Sequence, residues 1–377
     1  MEKRKVVTVM VPAVASSMRD LVRGIADYAA EAGDWHLVLH LWGHVNAASA
    51  EWINRGDGIV FESPLSTSVV RSPEWRIPAV AVQVPELGER HPLVTTDYRA
   101  VGRMAADYFL EKGLPHLAYL GYRNDEESEA GFRERAREAG VPVETYGLGG
   151  EQPELDERAR KNVLAWLHSL APPVGILLRE DFVAQKIIDW IPRDWLPERI
   201  ALLGTGNDSI ICEITRPTLS SVDRGARRVG WQAAAWLDRI MKGEKMPPQI
   251  LRLPPSHIAE RQSTGLRYTP DILVTRAVRM IEKNLSNPLT TDALCARLGL
   301  SRRTLERRFH AALGCSVLKH RWHLQLEKAR RLLATTSEPM SHIAEQCGYG
   351  NQQRFAESFR RAVGVAPSRY RRESKHP

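Results

Sequence analysis

Two clusters near the carboxyl end carry side chains suited to reading the edges of DNA bases. The first, SRRTLERRFH, sets out Arg302, Arg303, Glu306 and Arg307; the second, NQQRFAESFRR, sets out Gln352, Gln353 and Glu357. A guanidinium can pair bidentately with guanine, an amide with adenine, and a carboxylate can accept from cytosine N4. Further arginines at 308, 354, 360, 361 and 369 suit phosphates, which take most of the contacts in any protein–DNA interface. Such chemistry needs helices that hold the polar face outward.

The sequence supplies them. Ile343, Ala344 and Cys347 fall at helical spacing, Gly348-Tyr349-Gly350-Asn351 breaks the period, and a second helix follows with Phe355, Phe359 and Ala362 on its buried side. Two short helices joined by a glycine turn describe a helix-turn-helix; spacing alone also permits a solvated amphipathic hairpin on a bundle. A similar unit precedes it at 289–314. Thr290 or Thr291 offers an N-cap, Leu294, Ala296 and Leu298 face inward, Gly299 turns the chain, and Ser301 caps a helix that buries Leu305 and Phe309. A long helix over Val317–Ala334 would join the two units, placing them in successive major grooves ~34 Å apart.

The last stretch closely resembles the end of the AraC/XylS family of transcription regulators. The shared anchors are Ile343-Ala344, Gly348-Tyr349, Phe355 and Phe359, Gly364, Pro367 and Tyr370-Arg371. By offset from Leu305 and Phe309 the resemblance implies that Arg303, Glu306 and Arg307 read bases, and in the last stretch it implies the same of Gln352 and Gln353. Arg302, Arg308, Arg354, Arg360, Arg361 and Arg369 are then left to the DNA backbone.

Charge agrees with this layout. Residues 271–377 hold 20 Lys and Arg against 9 Asp and Glu, a net +11, which leaves 33 basic and 36 acidic residues for 1–270. A basic tail on a slightly acidic body is the footprint of a polyanion binder. No apolar run approaches the ~20 residues that span a bilayer, so no membrane partner is expected. The four cysteines (212, 295, 315, 347) show no metal-ligand spacing and fit a reducing compartment. The opening MEKRKVVTVMVPAVASS has the outline of a signal peptide, but Pro12 interrupts a short run that leads directly into a helix pattern. It reads as a first buried strand, and the chain as cytoplasmic.

Residues 1–260 alternate apolar runs with amphipathic helices. Strand-like runs fall at 6–11, 36–42, 58–61, 79–84, 116–121, 175–178, 200–204 and 219–222, with helices near 18–32, 99–112, 155–170, 182–190 and 224–242. That alternation means parallel sheets covered by helices, and its length suits two Rossmann-like lobes. The polar stretch 261–270, RQSTGLRYTP, reads as a linker. The expected architecture is an α/β two-lobed, periplasmic-binding-protein-like sensor (1–260) followed by an all-α double helix-turn-helix domain (271–377).

The body resembles the sugar-binding core of LacI/GalR regulators through TTDYRAVGRMAADYFLEKGLPHLAYLGY, GILLRED, ALLGTGNDS and TLSSVDRGARRVGWQAAAWL. Parallel-sheet proteins bind small molecules beyond the carboxyl ends of their strands, which directs attention to Arg19, Asp97, Asp181, Asn207 and Asp208. Of these, Arg19, Asp181 and Asn207 match polar positions in the resembling regulators. Trp35 and Trp42 are candidate stacking rings or core residues. The combined resemblance implies an activator responding to a pentose such as xylose, acting as a homodimer with RNA polymerase as a partner. Two departures stand out: Gly206 where the family has Asp, and Ser128 where it has Arg. Two sugar-gripping side chains are thus missing, leaving room for another small polar metabolite.

Other patterns are weaker. Gly204-Thr205-Gly206 lacks the third glycine of a dinucleotide fingerprint, and His36, His40 and His44 repeat every four residues in a strand-like context. No Ser-His-Asp or Cys-His arrangement is readable, and no cofactor or metal is expected. Two other functions share the architecture: an α/β enzyme with a DNA-tethering tail, and a constitutive DNA binder with a degenerate sensor.

Overall fold

The structure, a computed structural model, describes residues 4–11, 16–40, 56–62, 77–84, 88, 91–122, 126–149, 155–192, 194–247, 249–265, 269 and 271–375. It divides into two compact units. One is built from residues 1–111 and 115–265, the other from 112–114 and 266–377.

The first unit holds two six-stranded sheets. In the first lobe β1 (Lys5–Met10), β2 (Trp35–His40), β3 (Gly58–Phe61), β4 (Ala79–Val82), β5 (Leu93–Thr96) and β11 (Ile250–Leu253) run parallel in the order β11-β5-β4-β3-β1-β2. In the second lobe β6 (His116–Tyr122), β7 (Val143–Leu148), β8 (Val174–Leu178), β9 (Ile200–Thr205), β10 (Ser220–Asp223) and β12 (His257–Ala259) take the order β12-β10-β9-β8-β6-β7, only β12 being antiparallel. The central strands are apolar on both sides because helices cover both faces. Every residue of β3, β4, β5 and β8 is buried.

In each lobe two helices cross at a pair of glycines. Helix α1 (Ser16–Ala32) lies on α7 (Ala226–Met241), where a Cβ on Gly24 would stand 1.9 Å from the Arg227 carbonyl and one on Gly230 1.9 Å from that of Leu21. The same reciprocal contact joins α2 (Tyr98–Glu111) to α3 (Glu126–Glu138): Gly102 faces the carbonyl of Ser128, and Gly131 that of Arg99. Ser128 is itself buried at this helix crossing.

The chain passes between lobes after β5, β10 and β11, and the three passages are laced together. The Asp97 N–H donates to the Leu253 carbonyl at 2.8 Å, the Ser256 N–H to that of Asp223 at 2.8 Å, and Thr96 Oγ1 to that of Arg224 at 3.3 Å. The expected linker begins inside this unit. Gln262–Thr264 form a 3-10 turn with Ser263 and Thr264 fully buried, Ser263 Oγ donating to the Leu202 carbonyl at 2.6 Å.

The second unit is helical throughout its described residues: α8 (Ile272–Lys283), α9 (Thr291–Leu298), α10 (Arg302–Leu313), α11 (Val317–Thr335), α12 (Met340–Gln346), α13 (Gln352–Val363) and α14 (Pro367–Lys375). It has two cores. Val274, Val278, Ile281, Leu294, Leu305, Phe309 and Val317 fill the first; Leu326, Ala329, Leu333, Ile343, Cys347, Phe355 and Phe359 fill the second. Helix α11 contributes to both. One expectation fails in detail: Ala296 is exposed, and Cys295 takes the inward place beside Leu294.

Candidate DNA-reading surface and ligand cleft

The first reader is capped at the predicted points, and the second turns at the predicted glycine and is capped by Asn351. In the first, Thr290 Oγ1 accepts from the Ala293 N–H at 3.1 Å, Gly299 turns the chain at φ +66°, and Ser301 Oγ accepts from the Thr304 N–H at 3.2 Å. In the second, Gly348 turns at φ +73° with no room for a Cβ beside the Leu285 carbonyl, and Asn351 Oδ1 accepts from the Arg354 N–H at 2.8 Å. Burial pushes the Cys347 thiol up to about 11, so it stays protonated as a small core group. Trp322 Nε1 donates to Ser358 Oγ at 2.9 Å, pinning α13 to α11.

Arg303 and Arg307 are exposed on α10, and Gln352, Gln353, Arg354, Glu357, Arg360 and Arg361 are exposed on α13, with Arg369 exposed on α14. Two expected contacts are redirected. Glu306 Oε2 accepts the Val317 N–H at 3.2 Å, so this carboxylate serves the start of α11 rather than facing outward with Arg303 and Arg307. Arg308 Nη1 donates to both carboxylate oxygens of Asp271 at 3.1 and 3.0 Å, which ties α10 to the N-cap of α8. The surface that a helical wheel assigns to both is claimed by neighbouring helices. Arg302 lies 4.0 Å from Asp292 with both side chains mostly in solvent, a contact of little strength.

In the first unit polar groups gather where the carboxyl ends of the strands of both lobes meet. Asp181 is the hub. Buried to 3% exposure, it accepts from Ser221 Oγ at 2.6 Å and from the Asp208 N–H at 2.6 Å. Burial pushes its carboxyl upward; those two bonds and the charge of Arg224 pull it down. A side chain at Gly204 would strike its Oδ1, and a Cβ on Gly206 would lie 3.2 Å from Arg224 Nη2 and 3.4 Å from Asp181 Oδ2. The Arg224 guanidinium thus stands beside position 206. From the crossover after β10, Arg224 also reaches Ser17 Oγ on α1 at 3.1 Å.

Three of the residues expected to grip a ligand are engaged within the protein. Asp97 caps α2 through the Ala100 N–H at 2.9 Å, and Asp208 caps α6 (Ser209–Ile214) through two N–H groups at 3.1 Å. Asn207, at φ +52°, accepts from Arg261 Nη2 at 3.0 Å and donates to Asp223. These three side chains build the frame of the cleft around Asp181. Arg19 crosses from the first lobe to within 4.0 Å of Asp208. Glu62 and Gln83, which the sequence did not single out, stand beside them, as does Arg179, the first residue past β8. Glu62 follows β3 directly; its Oε2 is buried without a hydrogen-bond partner, and burial raises its pKa to about 7 against the pull of Arg224. Gln83, at φ +65° after β4, holds Thr95, Thr96 and Tyr98, and the Arg179 guanidinium lies 4.7 Å over the Tyr98 ring. The signal for Glu62, Gln83 and Arg224 was positional: each is the first or second residue beyond a strand's carboxyl end.

Trp35 packs in the core 5.4 Å from the Tyr28 ring, while Trp42 and His44 lie outside the described residues. Among the described residues no cluster could hold a metal, and no helix is long and apolar enough to cross a membrane.

Comparison with known proteins agrees with both halves. A periplasmic binding protein-like domain matches residues 106–264 and a helix-turn-helix domain matches 294–373. The chain thus joins a periplasmic binding protein-like domain to a helix-turn-helix domain, the make-up of a ligand-responsive transcription regulator, a non-enzymatic class. It is 28% identical to the xylose operon regulatory protein of Escherichia coli K12 over 98% of this chain and 97% of that one, and 27% identical to the Haemophilus influenzae protein of that name over 84% of each. A solved structure described as the xylose-binding transcription activator xylR superposes with a TM-score of 0.72 at 27% identity, covering 99% of both chains. A cellobiose complex of the regulator CelR shares the fold of the sensor, at 19% identity and a TM-score of 0.53 over 70% of this chain.

Proposed function

We propose that this regulator activates transcription in response to a small sugar, a pentose such as xylose, bound between the lobes of its first unit. The observation that carries the reading is the cluster of Asp181, Arg224, Ser17 and Glu62, drawn from both lobes to the carboxyl ends of their strands. Carboxyl, guanidinium and hydroxyl groups are the inventory that grips sugar hydroxyls. The match to xylose operon regulators along nearly the whole length supports the choice of sugar.

The protein works in the cytoplasm as a homodimer, with RNA polymerase as its partner at the promoter. Sugar favours one arrangement of the lobes, and the change of population alters how the readers of the dimer occupy adjacent half-sites. Arg303, Arg307, Gln352 and Gln353 contact bases; Arg302, Arg354, Arg360, Arg361 and Arg369 contact the backbone. Calorimetric titration of the full chain with xylose, arabinose, ribose and glucose, paired with footprinting on its own promoter, tests this. A pentose should bind and change the protected pattern. Binding by none of the four, with identical footprints throughout, refutes the sugar response.

A further inference from the structure

The two readers are built in one register, offset by fifty residues. Position for position, 301–320 and 351–370 show the same succession of buried, half-buried and exposed residues, with a single difference at 304 against 354. The caps Ser301 and Asn351, the core pairs Leu305 with Phe355 and Phe309 with Phe359, and the left-handed Gly314 and Gly364 all correspond. The residue that opens the next helix is buried in both copies, Val317 in one and Pro367 in the other. Because the scaffolds match, a solvent-facing residue in one copy has a defined counterpart in the other.

That register separates readers from supports. At 306 against 356, Glu306 caps α11 and its counterpart is Ala356, which has no polar group. At 308 against 358, Arg308 pairs with Asp271 and Ser358 accepts from Trp322. At 304 against 354, Thr304 shares a hydrogen bond with Ser301, while Arg354 is exposed. Positions 310 and 360 lie toward the carboxyl half of each helix, away from the end that meets base edges in this motif. Of the positions exposed in both copies, 303 with 353 and 307 with 357 stand one helical turn apart on one face, while 302 with 352, also exposed in both, opens the helix. The first copy carries Arg303 and Arg307; the second carries Gln353 and Glu357.

We propose that these paired positions form a two-residue code, sending the first reader to a half-site with two guanines and the second to one with an adenine and a cytosine. The proposal rests on the DNA-reading function above and deepens it. Arginine pairs bidentately with guanine, glutamine with adenine, and glutamate accepts from cytosine N4. Glu357 acts as a filter. A carboxylate brought against DNA is repelled by phosphates unless a base donor answers it, so the second reader rejects half-sites lacking cytosine at that step. The two halves of the operator therefore differ in composition, although the readers share one scaffold.

The test is selection of full-length protein on a random duplex library, with and without xylose, followed by affinities on the selected duplex. Wild type should recover two blocks about ten base pairs apart, one holding the guanines and the other the adenine and cytosine. Arg303→Gln should exchange one guanine for adenine in the first block only. Glu357→Arg should exchange cytosine for guanine in the second block only. Each change should cost on the order of ten- to a hundredfold on the wild-type duplex. All four positions are exposed, so circular dichroism serves to show that the variants remain folded. Uniform loss of affinity on every sequence with a shallower salt dependence would make these residues phosphate contacts and overturn the code. So would a change that appears in the wrong block. Recovery of no enriched sequence by wild type would instead overturn the DNA-reading function on which the code depends.

Discussion

Replacing Gly230 by alanine sets two effects of opposite sign against each other. In an isolated helix the change stabilises by about 1 kcal/mol, because alanine has the better helix propensity. At the crossing of α1 and α7 the new methyl would stand 1.9 Å from the Leu21 carbonyl and 2.8 Å from its carbon. Ordinary contact begins near 3.4 Å, so the helices must part by roughly 1.5 Å against backbone that cannot swing aside. Leu21, Ile25, Val229 and Ala233 are all fully buried at or near this crossing and would lose contact together. Overpacking of this kind costs about 3 kcal/mol at the upper end of its usual range. The net is a loss of about 2 kcal/mol, or ~4–8 °C in the melting of a domain this size. Urea and thermal denaturation of the full chain, followed by tryptophan fluorescence, would read it. Gly24→Ala attacks the same gap from the other helix, so the double variant should lose less than the sum. A Gly230→Ala protein as stable as wild type, or more so, refutes the close approach and with it the seating of α7 on the first lobe.

Two further predictions concern single charges. The Glu62 carboxyl has its pKa raised to about 7 from 4.5, so the native state holds its proton more tightly than the unfolded chain. Its contribution is full below about pH 4.5 and is lost as pH rises through 7, a change of about 3 kcal/mol. Thermal melts should show Glu62→Gln and wild type similar at pH 4.5 and the variant more stable at pH 8; parallel curves would contradict the burial. Arg308 is engaged with Asp271, so Arg308→Gln should leave the salt dependence of DNA binding unchanged, whereas Arg360→Gln should lower its slope by about one. Binding isotherms at several salt concentrations check this, and equal slopes for the two variants would refute it.

The elements legible in the sequence are those whose period reports a single environment. Val174–Leu178 and Ile200–Leu203 are apolar on both faces because helices cover both faces, and the readers announce themselves through Phe355, Phe359 and their caps. β7 escaped notice because Val143–Leu148 is an edge strand with three exposed residues. β5 did too, since Thr95 and Thr96 are buried for the hydrogen bonds that they make to Gln83 and across the lobes. The ligand cleft was legible as a place but not as a set of side chains. Asp97, Asn207 and Asp208 are polar residues just past strand ends, yet backbone N–H groups and Arg261 absorb them. Arg224 and Glu62 are 162 positions apart and approach each other only through the topology. Glu306 and Arg308 show the same limit on a helix: periodicity gives a face, and a third element decides what that face meets.

Helix α11 fills two cores, and the side chains buried in one are distinct from those buried in the other. Its nineteen residues make a rod of about 28 Å. Substitutions in one reader can accumulate without loosening its neighbour, so recognition of the two operator halves is free to diverge at separate rates. The separation between those halves is not free in that way, because it is written into the length of the rod. A promoter can therefore drift in base composition under this regulator while its spacing stays fixed.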